Sequence, residues 1–282
     1  MSDEAARPVG EMDDARSVAA ALRGECLYGD DFDLEGIRTW YADEAEAYAA
    51  MGAGNRDRYT YGYHALNFYH GFRFLPPGIF AHALGFGSAW GEEFKPLAGR
   101  VSRLTIVESS AAYGGDRVHG IPTRYVKPEV EGTLPFAEAE FDLISCLGVL
   151  HHLPNVSRVV GEFYRCLAPG GHALISEPCV SMGDWRRPRR GLTRRERGIP
   201  LAIFRRMLGD AGFLVVSERY CMIPWLPRLG DRLGIAIFNQ PFFTRVDAVA
   251  SRLLQWNMHY HGTRLWQKFK PANVFYVLRK PV

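Results

Sequence analysis

The chain has 282 residues, of which 47% are hydrophobic and 23% charged, with a formal net charge of +3. This length suits one large α/β domain with a small cap, and the charge is too small to indicate nucleic acid as a partner. No run approaches the roughly 18 apolar residues of a membrane span, and the acidic N-terminus lacks the apolar stretch of a secretion signal. The five cysteines lie far apart without a C-x-x-C pair. We therefore predict a cytoplasmic protein with reduced thiols and no membrane partner.

The first part of the chain predicts an arm followed by helices. Residues 1–14 are acidic and are expected to be disordered. Helical patterns follow in DDARSVAAALRGECL, where Asp14 is a candidate N-cap, and in DLEGIRTWYADEAEAYAAMGAG. The aromatic run YTYGYHALNFYHGFRFLPPG is stopped by two prolines. We assign residues 15–78 to an N-terminal helical cap.

From residue 79 to 282 the pattern alternates between strands and helices, which predicts a mostly parallel sheet covered on both faces. The strand candidates are Ile79–Leu84, Leu104–Val107, Thr123–Val126, Phe141–Leu147, His172–Ser176, Phe213–Glu218 and Val274–Leu278. The helix candidates are Ala89–Leu97, Val156–Leu167 and Pro200–Ala211. Two segments, about 178–198 and 221–269, interrupt this alternation and are expected to be lids near the carboxyl ends of the strands.

A glycine pair at Gly85 and Gly87 falls between a strand candidate and a helix candidate. A P-loop would need G-K-[ST] after it, and a dinucleotide fingerprint would need glycine where Trp90 stands. Glu108 follows the next strand, where an acidic side chain accepts hydrogen bonds from ribose hydroxyls. The pattern favours a ribose-bearing ligand without a pyrophosphate. The alternative is a tight turn with a glutamate that caps a helix.

Residues 132–178, GTLPFAEAEFDLISCLGVLHHLPNVSRVVGEFYRCLAPGGHALISEP, carry a family pattern. This run resembles the class I S-adenosylmethionine-dependent methyltransferases, and the resemblance extends over about residues 79–220 and the last strand. It implies a Rossmann-like, mostly parallel seven-stranded sheet with helices on both faces. It also implies S-adenosylmethionine as cofactor and S-adenosylhomocysteine as product.

The resemblance assigns cofactor contacts residue by residue. Gly85, Phe86 and Gly87 would pass under the amino-acid part of S-adenosylmethionine, Glu108 would hold the ribose, Ser109 would lie beside the adenine, and Leu147 would contact the cofactor at the end of its strand. The sequence departs from the family at two places. Ala83 and Ala89 stand where the family often has an acid and a third glycine, and Lys127-Pro128 stands near the usual adenine-binding aspartate.

The candidate catalytic residues are His151, His152 and Glu177, which follow two neighbouring strands. An imidazole titrates near neutral pH, and a carboxylate beside it would fix its tautomer and raise its basicity. The pair could thus take a proton from an alcohol acceptor. The alternative is that the two histidines only pack or cap the next helix.

Three further segments have candidate roles. The aromatic run is predicted to form a lid over the substrate, or part of the core, through Tyr61, Tyr63, His64, Tyr69 and Arg73. Residues 186–197 contain seven arginines, either a solvated loop or a clamp for an anionic, nucleotide-linked or carrier-linked substrate. His259 and His261 lack an acidic neighbour, and we predict no metal site.

Together these features predict methylation of a small molecule, first at oxygen and second at nitrogen, in secondary-metabolite or sugar biosynthesis. One alternative is a member of the fold that catalyses a reaction without methyl transfer, such as cyclisation. Another is a non-catalytic binding partner.

Overall fold

A central β-sheet of eight strands organises the chain in the computed structural model, which describes residues 15–50, 59–185, 187, 189, 191–193 and 195–282. The predicted arm 1–14, including Asp14, lies outside the described residues. The strands are β1 (Ala83–Phe86), β2 (Leu104–Val107), β3 (Arg117–Val118), β4 (Ile121–Val126), β5 (Phe141–Leu147), β6 (Leu167–Pro178), β7 (Leu214–Cys221) and β8 (Asn273–Arg279). Their order in the sheet is β3-β4-β2-β1-β5-β6-β8-β7.

The sheet is mostly parallel, as predicted. Strands β4, β2, β1, β5 and β6 run parallel to one another, whereas β8 lies antiparallel between β6 and β7. The predicted number of seven strands is one too low, because the two-residue β3 pairs with β4 in a hairpin at the sheet edge. Two residues are too few to produce a periodic pattern in the sequence.

Helices cover both faces of the sheet. They are α1 (Ala15–Leu22), α2 (Leu34–Ala50), α3 (His64–His70), α4 (Val156–Cys166), α5 (Leu201–Ala211), α6 (Trp225–Leu233) and α7 (Pro241–Leu254). On one face α4 and α5 bury Phe163 and Phe204 against the sheet, and on the other face α3 and α6 bury Leu66 and Leu226. Among the described residues, no helix is long and apolar enough to cross a membrane.

The N-terminal helices α1 and α2 form a small aromatic core of their own around Trp40 and Tyr28. The indole Nε1 of Trp40 donates to the carbonyl oxygen of His152 at 2.6 Å, which docks α2 onto the turn after β5. The N-terminal cap therefore contacts the carboxyl-terminal edge of the sheet, where α/β folds of this kind bind ligands.

The chain after the glycine pair differs from the prediction. Instead of an α-helix over Ala89–Leu97, a short 3₁₀ helix runs from Glu92 to Leu97. Gly91 precedes it with a φ of +70°, and Pro96 lies inside it and lacks the N–H that a longer helix needs. In the first interruption, 178–198, the described residues after Pro178 form no helix or strand, whereas the second, 221–269, contains α6 and α7.

Candidate functional site

The first part of the site is the loop that leaves β1. Gly85 and Phe86 lie within the strand, where Gly85 pairs with Ile106 of β2 and Ser145 of β5. The loop begins at Gly87, whose φ is +65°, a value that glycine adopts without strain. A Cβ at this position would lie 2.6 Å from the side chain of Val149. The loop and the chain after β5 are therefore in close contact, and only glycine fits between them.

Ala89 continues this loop with a φ of +47°, in the left-handed region that costs a non-glycine residue about 1 kcal/mol. Its backbone N–H donates to a carboxylate oxygen of Glu108 at 3.0 Å, and its carbonyl accepts from the Tyr125 hydroxyl at 3.1 Å. These two bonds hold the alanine in place where the family often has glycine.

Glu108 lies just beyond β2, half-buried beside the loop. Besides Ala89, its carboxylate accepts from the Ser110 N–H at 3.3 Å and the Ser109 hydroxyl at 3.4 Å. An ionised carboxylate offers about four acceptor positions, so it can still accept from a sugar hydroxyl. Leu147 is the half-buried last residue of β5, and β5 lies on the opposite side of β1 from β2. The predicted cofactor residues thus lie on adjacent strands at one edge of the sheet.

The second part of the site is the turn after β5, which Glu177 organises. Glu177 is fully buried near the end of β6 and accepts backbone N–H bonds from Val149 and Leu150, both at 2.8 Å, and from His151 at 3.3 Å. The same carboxylate lies 2.7 Å from Nδ1 of His151. The predicted histidine–carboxylate pair is therefore present. Because the carboxylate accepts several bonds, it orients the turn and the imidazole together.

His151 is buried between two carboxylates, since its Nε2 faces Glu196 at 3.5 Å. Burial by itself lowers the pKa of His151, but Glu177 and Glu196 outweigh burial and raise the pKa to about 9. For Glu196, burial is outweighed by His151, by His152 and by the Thr193 N–H, so its pKa lies below the ordinary value. His151, Glu177 and Glu196 therefore form one buried cluster of ionisable groups.

His152 completes this cluster from the side of α2. Its Nδ1 lies 3.1 Å from the buried carboxylate of Glu44, and its ring lies against that of His151 with centroids 4.1 Å apart. The sequence analysis missed both Glu44 and Glu196. Glu196 is the single acidic residue within the arginine-rich run 186–197. Its isolation among arginines is the sequence feature that could have marked it as a candidate site residue. Nothing in the local pattern of α2 places Glu44 beside a residue more than one hundred positions away.

The arginine-rich segment is mostly internal where the structure describes it. Arg197 is fully buried and its guanidinium donates to the carbonyls of four residues: Tyr28, Leu150, His151 and Pro154. Arg195 pairs with Asp43 at 2.8 Å, and Arg189 donates to the carbonyl of Thr193 at 2.9 Å. Arg187, by contrast, has a side chain that is 83% exposed. Arg186, Arg190 and Arg194 lie outside the described residues.

The candidate lid residues divide into two groups. Tyr61, Tyr63 and His64 pack on one another, and Tyr63 stacks on Phe238. Tyr69 and Arg73 instead stack together over β7, with the guanidinium carbon of Arg73 3.9 Å from the Tyr69 ring centroid and Arg219 5.4 Å from it. Burial raises the pKa of the Tyr61 phenol well above its ordinary value, and the charge of Glu93 adds to this shift.

Glu93 is a buried acid that the sequence analysis did not single out. It lies in the 3₁₀ helix after the glycine loop and is 5% exposed. Burial raises its pKa to about 7. The Ser88 hydroxyl opposes this shift, whereas the charges of Glu92 and Glu108 add to it. Ser88 and Phe94 pack directly beneath Gly85, so this carboxylate is close to the end of β1. A titrating acid near neutral pH is a feature of functional sites.

Comparison with known proteins adds a family match. Residues 84–175 match the family described as "Methyltransferase domain". The ubiquinone biosynthesis O-methyltransferase of Proteus mirabilis is 32% identical over 57 residues, covering 20% of this chain and 23% of the relative. That of Dechloromonas aromatica is 34% identical over 82 residues, covering 29% of this chain and 30% of the relative. The aligned stretch thus spans less than a third of each relative.

Two solved structures share the fold. A Haemonchus contortus phosphoethanolamine N-methyltransferase 2 in complex with S-adenosyl-L-methionine has a TM-score of 0.55 at 16% identity and covers 89% of this chain and 58% of its own. A chain in the Haloferax volcanii complex of the Trm112 methyltransferase activator with a methyltransferase has a TM-score of 0.51 at 15% identity, covering 87% and 98%. Residues 84–175 therefore match a methyltransferase domain, and the chain shares the fold of these solved methyltransferase structures.

Proposed function

We propose that this protein transfers a methyl group from S-adenosylmethionine to a small molecule, first at oxygen and second at nitrogen. One observation carries the proposal: the glycine loop, Glu108 and the His151–Glu177 pair meet at the carboxyl edge of neighbouring strands. This is where an open α/β sheet binds its ligands. The preference for oxygen draws support from the O-methyltransferases that match part of the chain.

The residues at this edge fit the cofactor in two respects. Gly87 gives the loop its positive φ and lets it pack against Val149 at the end of the sheet, and Glu108 keeps acceptor capacity for the ribose hydroxyls. We assign Ser109 to the adenine side of the cofactor and Leu147 to a cofactor contact at the end of β5. Phe86 supports the loop from the core. The cofactor supplies an electrophilic methyl group on a cationic sulfonium.

Ala83 cannot bind the cofactor's ammonium group, since it has no carboxylate. We assign that role to Glu93, which is buried close to the end of β1 and interacts with Ser88 and Glu108. A buried carboxylate without a cation beside it is costly, so a positively charged ligand would stabilise its ionised form.

At the acceptor end, Glu177 fixes the His151 ring, and His151 and His152 are the side chains that we place beside the substrate. Their part is to orient the acceptor. Because the pKa of His151 is raised to about 9, His151 can take a proton from an alcohol acceptor only in its neutral form, which prevails above that pH. Tyr61, Tyr63 and His64 are proposed to shape the pocket near the loop. Tyr69 and Arg73 are proposed to support the pocket from outside, because their stacked pair packs against Arg219 of β7.

The biological setting is proposed more broadly. A small acceptor in secondary-metabolite or sugar biosynthesis suits the aromatic and inserted segments. The five cysteines are free thiols, which suits a cytoplasmic location. An anionic or carrier-linked acceptor would need cationic side chains at the pocket. Because Arg195 and Arg197 are buried in internal bonds, they are not assigned to that role.

The test combines binding with turnover. We expect calorimetry to show one S-adenosylmethionine or S-adenosylhomocysteine per chain, and mass spectrometry to show addition of one methyl group to an alcohol or amine from a substrate panel. Glu108→Ala should weaken binding at least tenfold, since it removes the proposed ribose acceptor, whereas Glu138→Ala, an exposed acid, should not. Binding without methylation of any acceptor would favour a reaction such as cyclisation, or a non-catalytic role. Equal binding by both variants would contradict the assignment of Glu108.

A further inference from the structure

Two histidines and one glutamate after β5 and β6 lie close enough to share a ligand. One ligand atom each from His151, His152 and Glu196 lies within 4.8 Å of the others. His151 and Glu196 are both 7% exposed, so the cluster is largely shielded from water. Nε2 of His151 and Oε1 of Glu196 are 3.5 Å apart, which is long for a hydrogen bond. The distance is instead close to that between two atoms bound to the same tetrahedral zinc ion. Two such atoms lie about 3.4 Å apart when each bond to zinc is about 2.1 Å long.

Each imidazole is oriented by a second carboxylate. Nδ1 of His151 lies 2.7 Å from Glu177, and Nδ1 of His152 lies 3.1 Å from Glu44. A carboxylate at Nδ1 keeps a proton on that nitrogen, so a bound cation would take the place of the proton on Nε2. This arrangement of carboxylate, histidine and metal is common around bound zinc, where the outer carboxylate fixes the ring and makes it a better ligand.

Glu196 is held so that one oxygen remains directed at His151. Its Oε2 accepts the Thr193 N–H at 2.9 Å, while Oε1 faces the imidazole. The surrounding backbone is also anchored, since Trp40 donates to the carbonyl of His152 and Arg197 to that of His151. The three candidate ligands are therefore positioned by independent contacts from different segments of the chain.

We propose that His151, His152 and Glu196 form a binding site for a divalent cation of the zinc type. Two imidazoles and one carboxylate suit zinc and similar transition metals, whereas magnesium and calcium prefer oxygen ligands. The site lies at the same sheet edge as the proposed methyl-transfer site, and a bound cation would make the histidines ligands instead of proton acceptors. This inference departs from the sequence analysis, which predicts no metal. It does not depend on methyl transfer, since binding is measured on the protein alone.

The test measures metal binding on the full chain. The protein is treated with a chelator, dialysed against zinc and analysed by atomic emission, with zinc affinity measured by calorimetry. We expect about one zinc ion per chain and, with cobalt in its place, the visible absorption of a four-coordinate cobalt site. Glu196→Gln and His152→Asn should each weaken zinc binding at least tenfold. Glu44→Gln should weaken it about 10- to 100-fold through the orientation of His152 alone.

A matched control is available in a second histidine–carboxylate pair. Nε2 of His119 lies 3.3 Å from Glu92, and His119 has a φ of +49°, which asparagine tolerates well. His119→Asn should bind zinc like the wild type. Far less than one zinc per chain, or equal zinc affinity in the wild type and folded Glu44→Gln, would overturn the proposal. Calorimetry with S-adenosylhomocysteine in parallel separates the two proposals: cofactor binding without zinc removes only this one, and zinc without cofactor removes only the methyltransferase.

Discussion

Replacing Glu93 by glutamine should make the protein more stable above neutral pH. The buried carboxyl has a pKa of about 7, against an ordinary value of 4.5. Between these values the folded chain holds a proton that the unfolded chain has released, so stability falls as pH rises through this window. Each pKa unit corresponds to about 1.4 kcal/mol, so the ionised carboxylate costs roughly 3 kcal/mol above pH 7.

Glutamine has nearly the same shape and carries no charge at any of these pH values. We therefore expect Glu93→Gln to raise the free energy of unfolding by up to about 3 kcal/mol near pH 8.5 and by little near pH 4.5. For a chain of this length that gain corresponds to about 5 °C in melting temperature. Urea denaturation at the two pH values, with Glu138→Gln as the exposed control, measures it.

The same substitution should weaken cofactor binding, because it removes the carboxylate that we assign to the ammonium group. Stability and affinity would then change in opposite directions in one variant. The same stability difference at both pH values would refute the reasoning from burial. Unchanged affinity for S-adenosylhomocysteine would refute the role assigned to Glu93 and leave the pH argument intact.

Two further substitutions test the loop and the arginine-rich segment. Ala89→Gly should raise the free energy of unfolding by about 0.5–1 kcal/mol, since glycine adopts the φ of +47° without strain. Ala98→Gly, at a φ of −54°, should lower it by a similar amount, and a loss in both variants would contradict the strain argument. Arg197→Met should cost about 3–5 kcal/mol, because buried carbonyls lose their charged donor. Arg187→Met, on an exposed side chain, should change stability by less than about 0.5 kcal/mol, and similar losses in both would show that Arg197 is not a structural anchor.

Two strands were predicted with their observed bounds because their signal is local, whereas the predicted strand Ile79–Leu84 shares only Ala83 and Leu84 with β1. Phe141–Leu147 and Leu104–Val107 are apolar runs buried on both faces, and their predicted bounds match the structure. The 3₁₀ helix after Gly91 was not predictable from the apolar pattern, because Gly91 and Pro96 override the helical spacing. The pairing of His151 with Glu177 followed from the rule that parallel strands end at one edge.

The rest of the candidate site depends on contacts between distant segments. Glu44 reaches His152 from a helix of the cap, and Glu196 reaches His151 from an irregular segment. Neither contact leaves a periodic or spacing signal in the sequence. The buried positions of Arg195 and Arg197 are equally invisible there, since an arginine-rich run usually indicates a solvated surface.

The central claim, that this sheet edge binds S-adenosylmethionine for methyl transfer, is tested most directly by calorimetric titration with S-adenosylhomocysteine. We predict one site per chain with a dissociation constant in the micromolar range or tighter, weakened at least tenfold in Glu108→Ala. No binding by the folded wild-type protein at millimolar ligand would contradict the claim.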